Sequence, residues 1–143
     1  MTQVVSQLLK INLRMRSKEN IRRLLCDVLG GSAGHDRGSE TIGDFEGSTF
    51  VVGGVTFDVV VPSGPDAPLS KVIDKHGEGI DSICYAVNDM DQTQSQLQKH
   101  GIEFSRLTEF HGNKVAFVHP RDACGIALEF IQGPLVDKSL QAD

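Results

Sequence analysis

The sequence contains few of the residues that disulfide frameworks and large aromatic pockets need. Its 143 residues include no tryptophan, one tyrosine and three cysteines, at Cys26, Cys84 and Cys124. An odd number of cysteines without C-x-x-C spacing argues against a disulfide scaffold or a zinc cluster, so we expect reduced thiols in a cytoplasmic protein. The shortage of large aromatic residues also argues against a pocket built to hold aromatic drugs.

Hydropathy and charge exclude two further classes of protein. No segment approaches the roughly 20 consecutive apolar residues that a membrane-spanning helix requires. The N-terminus lacks the basic start and apolar core of a signal peptide, so we expect neither membrane insertion nor secretion. The net charge of −5 offers no basic surface, which makes nucleic acid an unsuitable partner.

What the sequence does contain is an internal repeat. A first module spans 8–62 and a second spans 79–132, with a linker over 63–78 and a polar tail over 133–143. In each module a short strand leads into a helix that ends at glycine, and three strands follow. The paired landmarks are Lys10 with Ser82 and Ser17 with Asp89, each 72 residues apart, and Gly30 with Gly101 and Asp58 with Glu129, each 71 apart. This nearly constant offset indicates duplication. It predicts an α+β fold of two tandem βαβββ modules whose curved sheets form a concave pocket.

Strand and helix patterns place the polar residues of the first module. Residues 8–15 alternate as a strand, so Lys10, Asn12 and Arg14 share its polar face. That face is either solvated or part of a pocket wall. Ser17 predicts the N-cap of a helix over 18–29, which Gly30 ends. The apolar stripe predicted for that helix comprises Ile21, Leu24, Leu25 and Val28.

Turn residues divide the middle of the chain. Residues 32–48 are polar and glycine-rich, and they predict a long loop with a short strand at its far end. Gly53-Gly54 predicts a hairpin within 49–61. Residues 67–75 predict a short linker helix with Pro68 in its first turn, where a missing N–H is tolerated.

The second module follows the same plan. Residues 80–87 predict a strand in which Ser82 and Cys84 share a face. Asp89 or Asp91 predicts the N-cap of a helix that runs to residue 100. A turn over 111–113 and strands over 115–119 and 126–131 complete the module.

Four segments of the linker and second module resemble a known family. They are Pro-Asp-Ala-Pro-Leu-Ser-Lys over 65–71, Lys-His-Gly-Glu-Gly-Ile over 75–80, Val-Ala-Phe-Val-His-Pro-Arg-Asp over 115–122 and Gly-Ile-Ala-Leu-Glu-Phe-Ile-Gln over 125–132. These segments resemble the vicinal oxygen chelate superfamily, which includes glyoxalase I, extradiol dioxygenases and bleomycin-resistance proteins. Within it the similarity is closest to the methylmalonyl-CoA epimerases.

The resemblance implies a metal site in which the usual ligands are missing. In that superfamily four strands each supply one ligand to a divalent metal, usually two His residues and two Glu or Gln residues. The corresponding positions here are Lys10, Asp58, Ser82 and Glu129. A protonated lysine cannot ligate a metal and a neutral serine hydroxyl is a poor ligand, so we expect no tightly bound catalytic metal. A divalent metal held by Asp58 and Glu129 is the weaker alternative.

The same positions imply enolate chemistry without a metal. In the family's fold Lys10 would point to where the cation lies, between Asp58 and Glu129, and its charge would stabilise an enolate oxygen. Lys10 would act together with Asp58 and Glu129 in acid–base chemistry, and Glu129 and Glu46 are the carboxylate candidates for the base. The resemblance therefore implies a metal-independent epimerase, isomerase or lyase that acts on an acyl-CoA or a small carboxylated carbonyl compound.

Each candidate residue also has a structural interpretation. Lys10 can form a buried ion pair without function, and Asn12 and Arg14 can bind substrate or form a solvated strand face. Ser82 and Cys84 can line the pocket or fill space in the core. A non-catalytic small-molecule binding protein of the same superfamily is the alternative function. By analogy alone we expect a homodimer.

Overall fold

The computed structural model describes residues 3–38, 45–110 and 112–133, and the chain divides into two units. The first unit comprises Ile11–Asp81. The second unit comprises the described residues up to Lys10 together with the described residues from Ser82 to position 133. The predicted polar tail beyond residue 133 and His111 of the predicted turn lie outside the described residues.

The first unit is a sheet with a helix packed on one face. Its strands lie in the order β2-β3-β4-β1, where β1 contributes its residues from Ile11 onward. The elements are β1 (Val5–Arg14), α1 (Lys18–Arg22) with a π-helical continuation (Arg23–Val28), β2 (Ser32–Gly38), β3 (Phe45–Val52), β4 (Val55–Pro62) and α2 (Pro68–His76). The core between helix and sheet comprises Leu13, Ile21, Leu25, Phe50 and Val59.

The first helix begins and ends where the sequence predicts, but two of the four residues predicted to be buried are exposed. The Ser17 side chain accepts a hydrogen bond from the backbone N–H of Asn20, and Gly30 ends the helix at φ 78°. Leu24 and Val28, predicted to be buried, are 46% and 67% exposed. The reason is the change to π-helical winding, in which Leu29 N–H bonds to the carbonyl of Leu24 five residues earlier. The wider turn moves later residues around the axis and away from the core.

The predicted long loop over 32–48 is the main error of local structure. Its described part forms β2 and the beginning of β3, and the two strands pair antiparallel with register shifts between Ala33 and Gly38. A Cβ atom on Gly34 would lie 2.5 Å from the Thr49 hydroxyl, so glycine permits the close approach of the two strands. Polar, glycine-rich residues have low strand propensity, and the backbone pairing with β3 overrides it.

The second unit has the same plan. The first residues of β1 belong to it, and the Ser6 hydroxyl donates to the carbonyl of Ala86. The remaining strands lie in the order β5-β8-β7-β6. The elements are β5 (Gly79–Val87), of which residues 82–87 belong here, α3 (Met90–Gln98), β6 (Arg106–Phe110), β7 (Asn113–Val118), a 3₁₀ turn (Pro120–Asp122) and β8 (Leu128–Gln132).

Helix α3 begins as predicted and docks on the end of the sheet. The Asp89 side chain accepts from the Gln92 backbone N–H at 3.0 Å. The Met90 backbone N–H donates to the Gln132 side chain at 2.7 Å, which joins the helix N-terminus to the end of β8. The apolar core under the helix comprises Val87, Met90, Ala116, Val118 and Phe130.

The element order confirms the predicted α+β class and the repeated βαβββ pattern. Strand β1 and α1 precede β2, β3 and β4, whereas β5 and α3 precede β6, β7 and β8, with α2 between the two sets. The Gly53-Gly54 hairpin is also confirmed, with φ values of 58° and 80°. Within the described ranges, none of the helices has the length and apolarity needed to cross a membrane.

Candidate functional site

The polar candidates of the second unit lie on the sheet face opposite α3. In the parallel pair β5–β8, Cys84 is in register with Glu129, and in the antiparallel pair β7–β8, Phe117 is in register with Glu129. Residues in register share a face, whereas the neighbouring row of Tyr85 and Phe130 packs under the helix. We call the side that carries Ser82, Cys84, Glu129 and Phe117 the Glu129 face.

Glu129 and Ser82 are close on this face. Ser82 lies two residues before Cys84 on β5, a distance of about 6.6 Å along the strand, and the adjacent strand β8 is about 4.8 Å away. Both side chains are buried, with Glu129 only 9% exposed. Burial of a carboxylate away from water is unfavourable unless other groups stabilise it. A buried glutamate is therefore chemically distinctive within this unit.

Lys10 is also a buried charged residue of the second unit. It ends the part of β1 that belongs to this unit, and only 4% of it is exposed. A lysine is almost never fully buried unless other groups compensate its charge. The structure therefore places two buried charged residues, Lys10 and Glu129, in one unit, and their catalytic roles stay predictions.

Cys84 and its neighbours on the Glu129 face form an apolar cluster. Cys84 is completely buried and packs with Val115 and Ile131, with Phe110 and Phe117 against them. A thiol in this setting behaves as a small apolar side chain. This packing favours the space-filling interpretation of Cys84 over contact with a substrate.

Asn12 and Asp58 form a polar row in the first unit. They are in register on the parallel pair β1–β4, and Asp58 is in register with Thr49 of β3. All three are buried, with Asp58 only 3% exposed. They lie on the face opposite the one where Leu13 and Phe50 pack under α1. Asp58 therefore belongs to a different unit from Lys10, Ser82 and Glu129.

Arg14 is engaged in hydrogen bonds within the first unit. Its guanidinium donates to the carbonyls of Gly77 and Ile80 at 2.8 and 3.0 Å and to the Asp81 carboxylate at 3.3 Å. The neighbouring Arg16 pairs with Asp74. These contacts fasten the end of β1 to the connection between α2 and β5. They favour a structural role for Arg14, and its predicted role in substrate binding stays a prediction.

Glu46 does not share the face of Asp58. It is in register with Val61, which packs against the core under α1, whereas Asp58 alternates onto the other side of β4. Glu46 is also exposed. The structure therefore separates these two carboxylates on opposite faces of the same pair of strands.

The donor set does not fit a resident divalent metal. Of the four positions that the resemblance implies, Lys10 carries no free lone pair while protonated, and Ser82 offers only a neutral hydroxyl. Across residues 3–38, 45–110 and 112–133, no group of three or more His, Cys, Asp or Glu is placed to hold a metal ion. Catalytic metals in proteins commonly have three such ligands.

One residue of the Glu129 face was missed by the sequence analysis. Asn113 opens β7 and alternates onto the same side as Val115 and Phe117. It is 5% exposed. Its position beside Gly112 made it a turn residue in the sequence, and only the pairing of β6 with β7 shows that it faces inward.

Comparisons with known proteins identify the fold. A family model described as the glyoxalase/bleomycin resistance protein/dioxygenase superfamily matches residues 10–117. Protein YqjC of Bacillus subtilis, itself uncharacterised, is 27% identical over 86 residues, which are 58% of this chain and 61% of that protein. The chain thus spans about three fifths of the curated relative that it matches.

Solved structures with the same fold include epimerases. The methylmalonyl-CoA epimerase of Mycobacterium tuberculosis has a TM-score of 0.76 and 19% identity, covering 94% of this chain and 93% of that chain. A variant of the Streptomyces coelicolor epimerase with 2-nitronate-propionyl-CoA has a TM-score of 0.75 and 17% identity, covering 93% and 98%. A hypothetical protein of Bacillus halodurans has a TM-score of 0.76 and 22% identity, covering 92% and 96%. At these identities the similarity establishes the fold.

Proposed function

Because the chain belongs to the glyoxalase/bleomycin resistance protein/dioxygenase superfamily, we propose that it is a metal-independent enzyme acting through an enolate. Its substrate is an acyl thioester, such as an acyl-CoA, or a small carboxylated carbonyl compound. The reaction belongs to the epimerase, isomerase or lyase class. The observation that carries this proposal is the burial of Lys10 and Glu129 within one unit.

The two residues have complementary roles in forming an enolate. The Glu129 carboxylate takes the proton from the carbon next to the carbonyl, and the electron pair of the broken C–H bond moves into the enolate. The Lys10 ammonium stabilises the negative charge that develops on the enolate oxygen. The Ser82 hydroxyl, on the same face as Glu129, is a further hydrogen-bond donor for that oxygen. The proton returns to carbon when the enolate collapses.

The donor set supports metal independence. A metal would polarise the carbonyl as a Lewis acid, and a buried ammonium provides a fixed positive charge in its place. The methylmalonyl-CoA epimerases among the solved structures support an acyl thioester as the first substrate to test.

Deuterium exchange tests the proton-transfer step alone. Wild-type protein is incubated in D₂O with methylmalonyl-CoA and simpler acyl thioesters, and deuterium at the α-carbon is followed by NMR. We expect exchange that falls at least about 100-fold in Lys10→Met and in Glu129→Gln, because each removes a charge or base that acts in the transition state. Lys71→Met and Glu109→Gln are the matched controls, since both side chains are exposed.

Elemental analysis and chelation accompany the exchange measurement. We expect no stoichiometric divalent metal and the same exchange rate after treatment with EDTA. A stoichiometric metal whose removal abolishes exchange would contradict the proposal and would restore a metal-dependent reaction.

A binding protein without catalysis is the second candidate function. The apolar cluster beside Glu129, with Phe110 and Phe117, is the observation that favours it. In that case the wild-type protein binds an acyl thioester without exchange, and Lys10→Met changes affinity only. A homodimer and a cytoplasmic location stay predictions.

A further inference from the structure

The side-chain amide of Asn113 is a buried hydrogen-bond donor that no described residue satisfies. Asn113 is 95% buried. Its Nδ2 atom has no hydrogen-bond partner among the described residues. Buried polar groups in folded proteins nearly always have a partner, so each exception requires a specific explanation.

The surroundings of Asn113 make an apolar residue the more stable choice. Asn113 is in register with Phe110 on β6, and it precedes Val115 and Phe117 along the same face of β7. These neighbours belong to the apolar cluster around Cys84 and Ile131. Replacement of an unsatisfied buried amide by an apolar side chain of the same shape is neutral or stabilising. The Asn113 amide therefore lacks a compensating hydrogen bond among the described residues, and an acceptor oxygen of a ligand would supply one.

The sheet places this donor at a defined distance from Glu129. Asn113 precedes Phe117 by four residues on β7, which corresponds to about 13 Å, and Phe117 is in register with Glu129. Asn113 and Glu129 therefore lie at the two ends of this interval of about 13 Å, on the same face of the sheet. Val115 and Ile131, which are in register with each other, form an apolar strip between them.

We propose that Asn113 is a specificity residue that donates a hydrogen bond to a substrate oxygen remote from the carbon that Glu129 deprotonates. The inference rests on the proposed function and narrows its substrate class. The substrate is an elongated carbonyl compound with an apolar middle and an acceptor oxygen roughly 10 Å from the reacting carbon. A thioester on a pantetheine-type arm has amide carbonyls at this order of separation, whereas a short keto acid has none.

The test compares two thioesters of the same acyl group. One is the CoA thioester, whose arm carries amide carbonyls, and the other is an S-ethyl thioester, which lacks them. We expect Asn113→Leu to lower the exchange rate of the CoA thioester at least about tenfold, because a hydrogen bond to a buried donor is lost. The rate with the S-ethyl thioester should not change. Asn88→Leu, at an exposed position of the same unit, is the control.

Thermal unfolding separates a binding role from a structural one. We expect the Tm of Asn113→Leu to rise by roughly 2–6 °C, since the unsatisfied amide is removed. Asn113→Asp keeps the shape of the side chain but replaces the donor by an acceptor. Like Asn113→Leu, it should lower the exchange rate of the CoA thioester and leave that of the S-ethyl thioester unchanged. A lower Tm in Asn113→Leu, or an equal loss with both thioesters, would assign a structural role to the amide and overturn the proposal.

Binding measured by calorimetry tests the role of Asn113 even if the protein is not an enzyme. If wild-type protein shows no exchange with any thioester, the enzymatic proposal fails and binding of a non-reactive acyl-CoA thioether decides the role of Asn113. Tighter binding by wild type than by Asn113→Leu would support the inference. Equal affinities would contradict it, because the amide would then contribute nothing to binding of the long arm.

Discussion

At the scale of single residues, Gly31 lies between the backbone of the first helix and that of β3, which leave no room for a side chain. A Cβ atom at this position would lie 2.7 Å from the carbonyl oxygens of Leu25 and Val51 and 2.6 Å from a methyl group of Val52. Two of these three atoms belong to the backbone and cannot rotate away. The absence of a side chain thus lets the helix end pack directly on β3.

The substitution Gly31→Ala should lower the free energy of unfolding by about 1–3 kcal/mol, as overpacking does in other proteins. The matched control is Gly64→Ala, where an added Cβ meets nothing within 4 Å. The control should be neutral or slightly stabilising, since alanine restricts the unfolded chain. Urea denaturation of both variants measures the difference, and equal midpoints would disprove the steric explanation.

The buried polar residues show which part of the candidate site the sequence could predict. The alternation of residues 8–15 and the repeat placed Lys10, Asn12 and Asp58 on strand faces, and all three are buried. The hydrogen bonds of Arg14 to Gly77 and Ile80 could not be predicted, because they join residues more than 60 positions apart. Asn113 was missed for a different reason: it follows Gly112 at a hairpin turn, and turn residues are usually exposed, whereas Asn113 is buried.

At the scale of elements, the capping residue of α3 supports a helix with little buried surface. The helix has nine residues, of which only Met90 and Thr93 are buried. Short helices are marginal by themselves. The hydrogen bond from the Gln92 backbone to Asp89 therefore stabilises a helix whose fully buried residues lie near its N-terminus, with Leu97 partly buried near the other end.

Removal of this cap by Asp89→Ala should destabilise the protein by about 1 kcal/mol. Asp89→Asn retains an acceptor oxygen and should recover most of the loss. Ser95→Ala, at an exposed position within the same helix, should have an effect within roughly 0.5 kcal/mol. Thermal denaturation by circular dichroism measures all three, and a stable Asp89→Ala variant would show that the docking of Met90 on Gln132 is sufficient.

The elements also show where local patterns predict structure and where they do not. The caps at Ser17 and Asp89 and the turn at Gly53-Gly54 were correct, because each depends on residues close in sequence. Strand β2 was missed because its stability comes from pairing with β3. The exposure of Leu24 and Val28 was missed because the change to π-helical hydrogen bonding leaves no simple periodic signal.

At the scale of the whole molecule, both first strands of the repeat are divided between units at matching positions. Strand β1 is in the second unit up to Lys10 and in the first unit from Ile11. Strand β5 is in the first unit up to Asp81 and in the second from Ser82. The two divisions fall within one residue of each other in the repeat, since Lys10 and Ser82 are equivalent landmarks and the chain divides after Lys10 but before Ser82.

A fragment that begins at residue 79 should therefore fail to fold by itself. It contains the second module as defined by the sequence, but it lacks the residues of β1 that complete the second unit, including Ser6 with its bond to Ala86. We expect a weak and non-cooperative circular dichroism melt for the fragment. Addition of a peptide spanning residues 3–14 should restore a cooperative transition, and a shuffled peptide of the same composition should not. Cooperative melting of the fragment alone would show that β1 is dispensable.

The division of β1 and β5 between the units resembles a domain swap between two copies that are joined in one chain. Each copy of the module lends part of its first strand to the other unit, as identical subunits do when they exchange an element. Covalent linkage keeps the exchanged segments at a high effective concentration, so the exchange does not depend on the concentration of protein. A substitution in β1 before Ile11 therefore changes the second unit, although it lies in the first copy of the repeat.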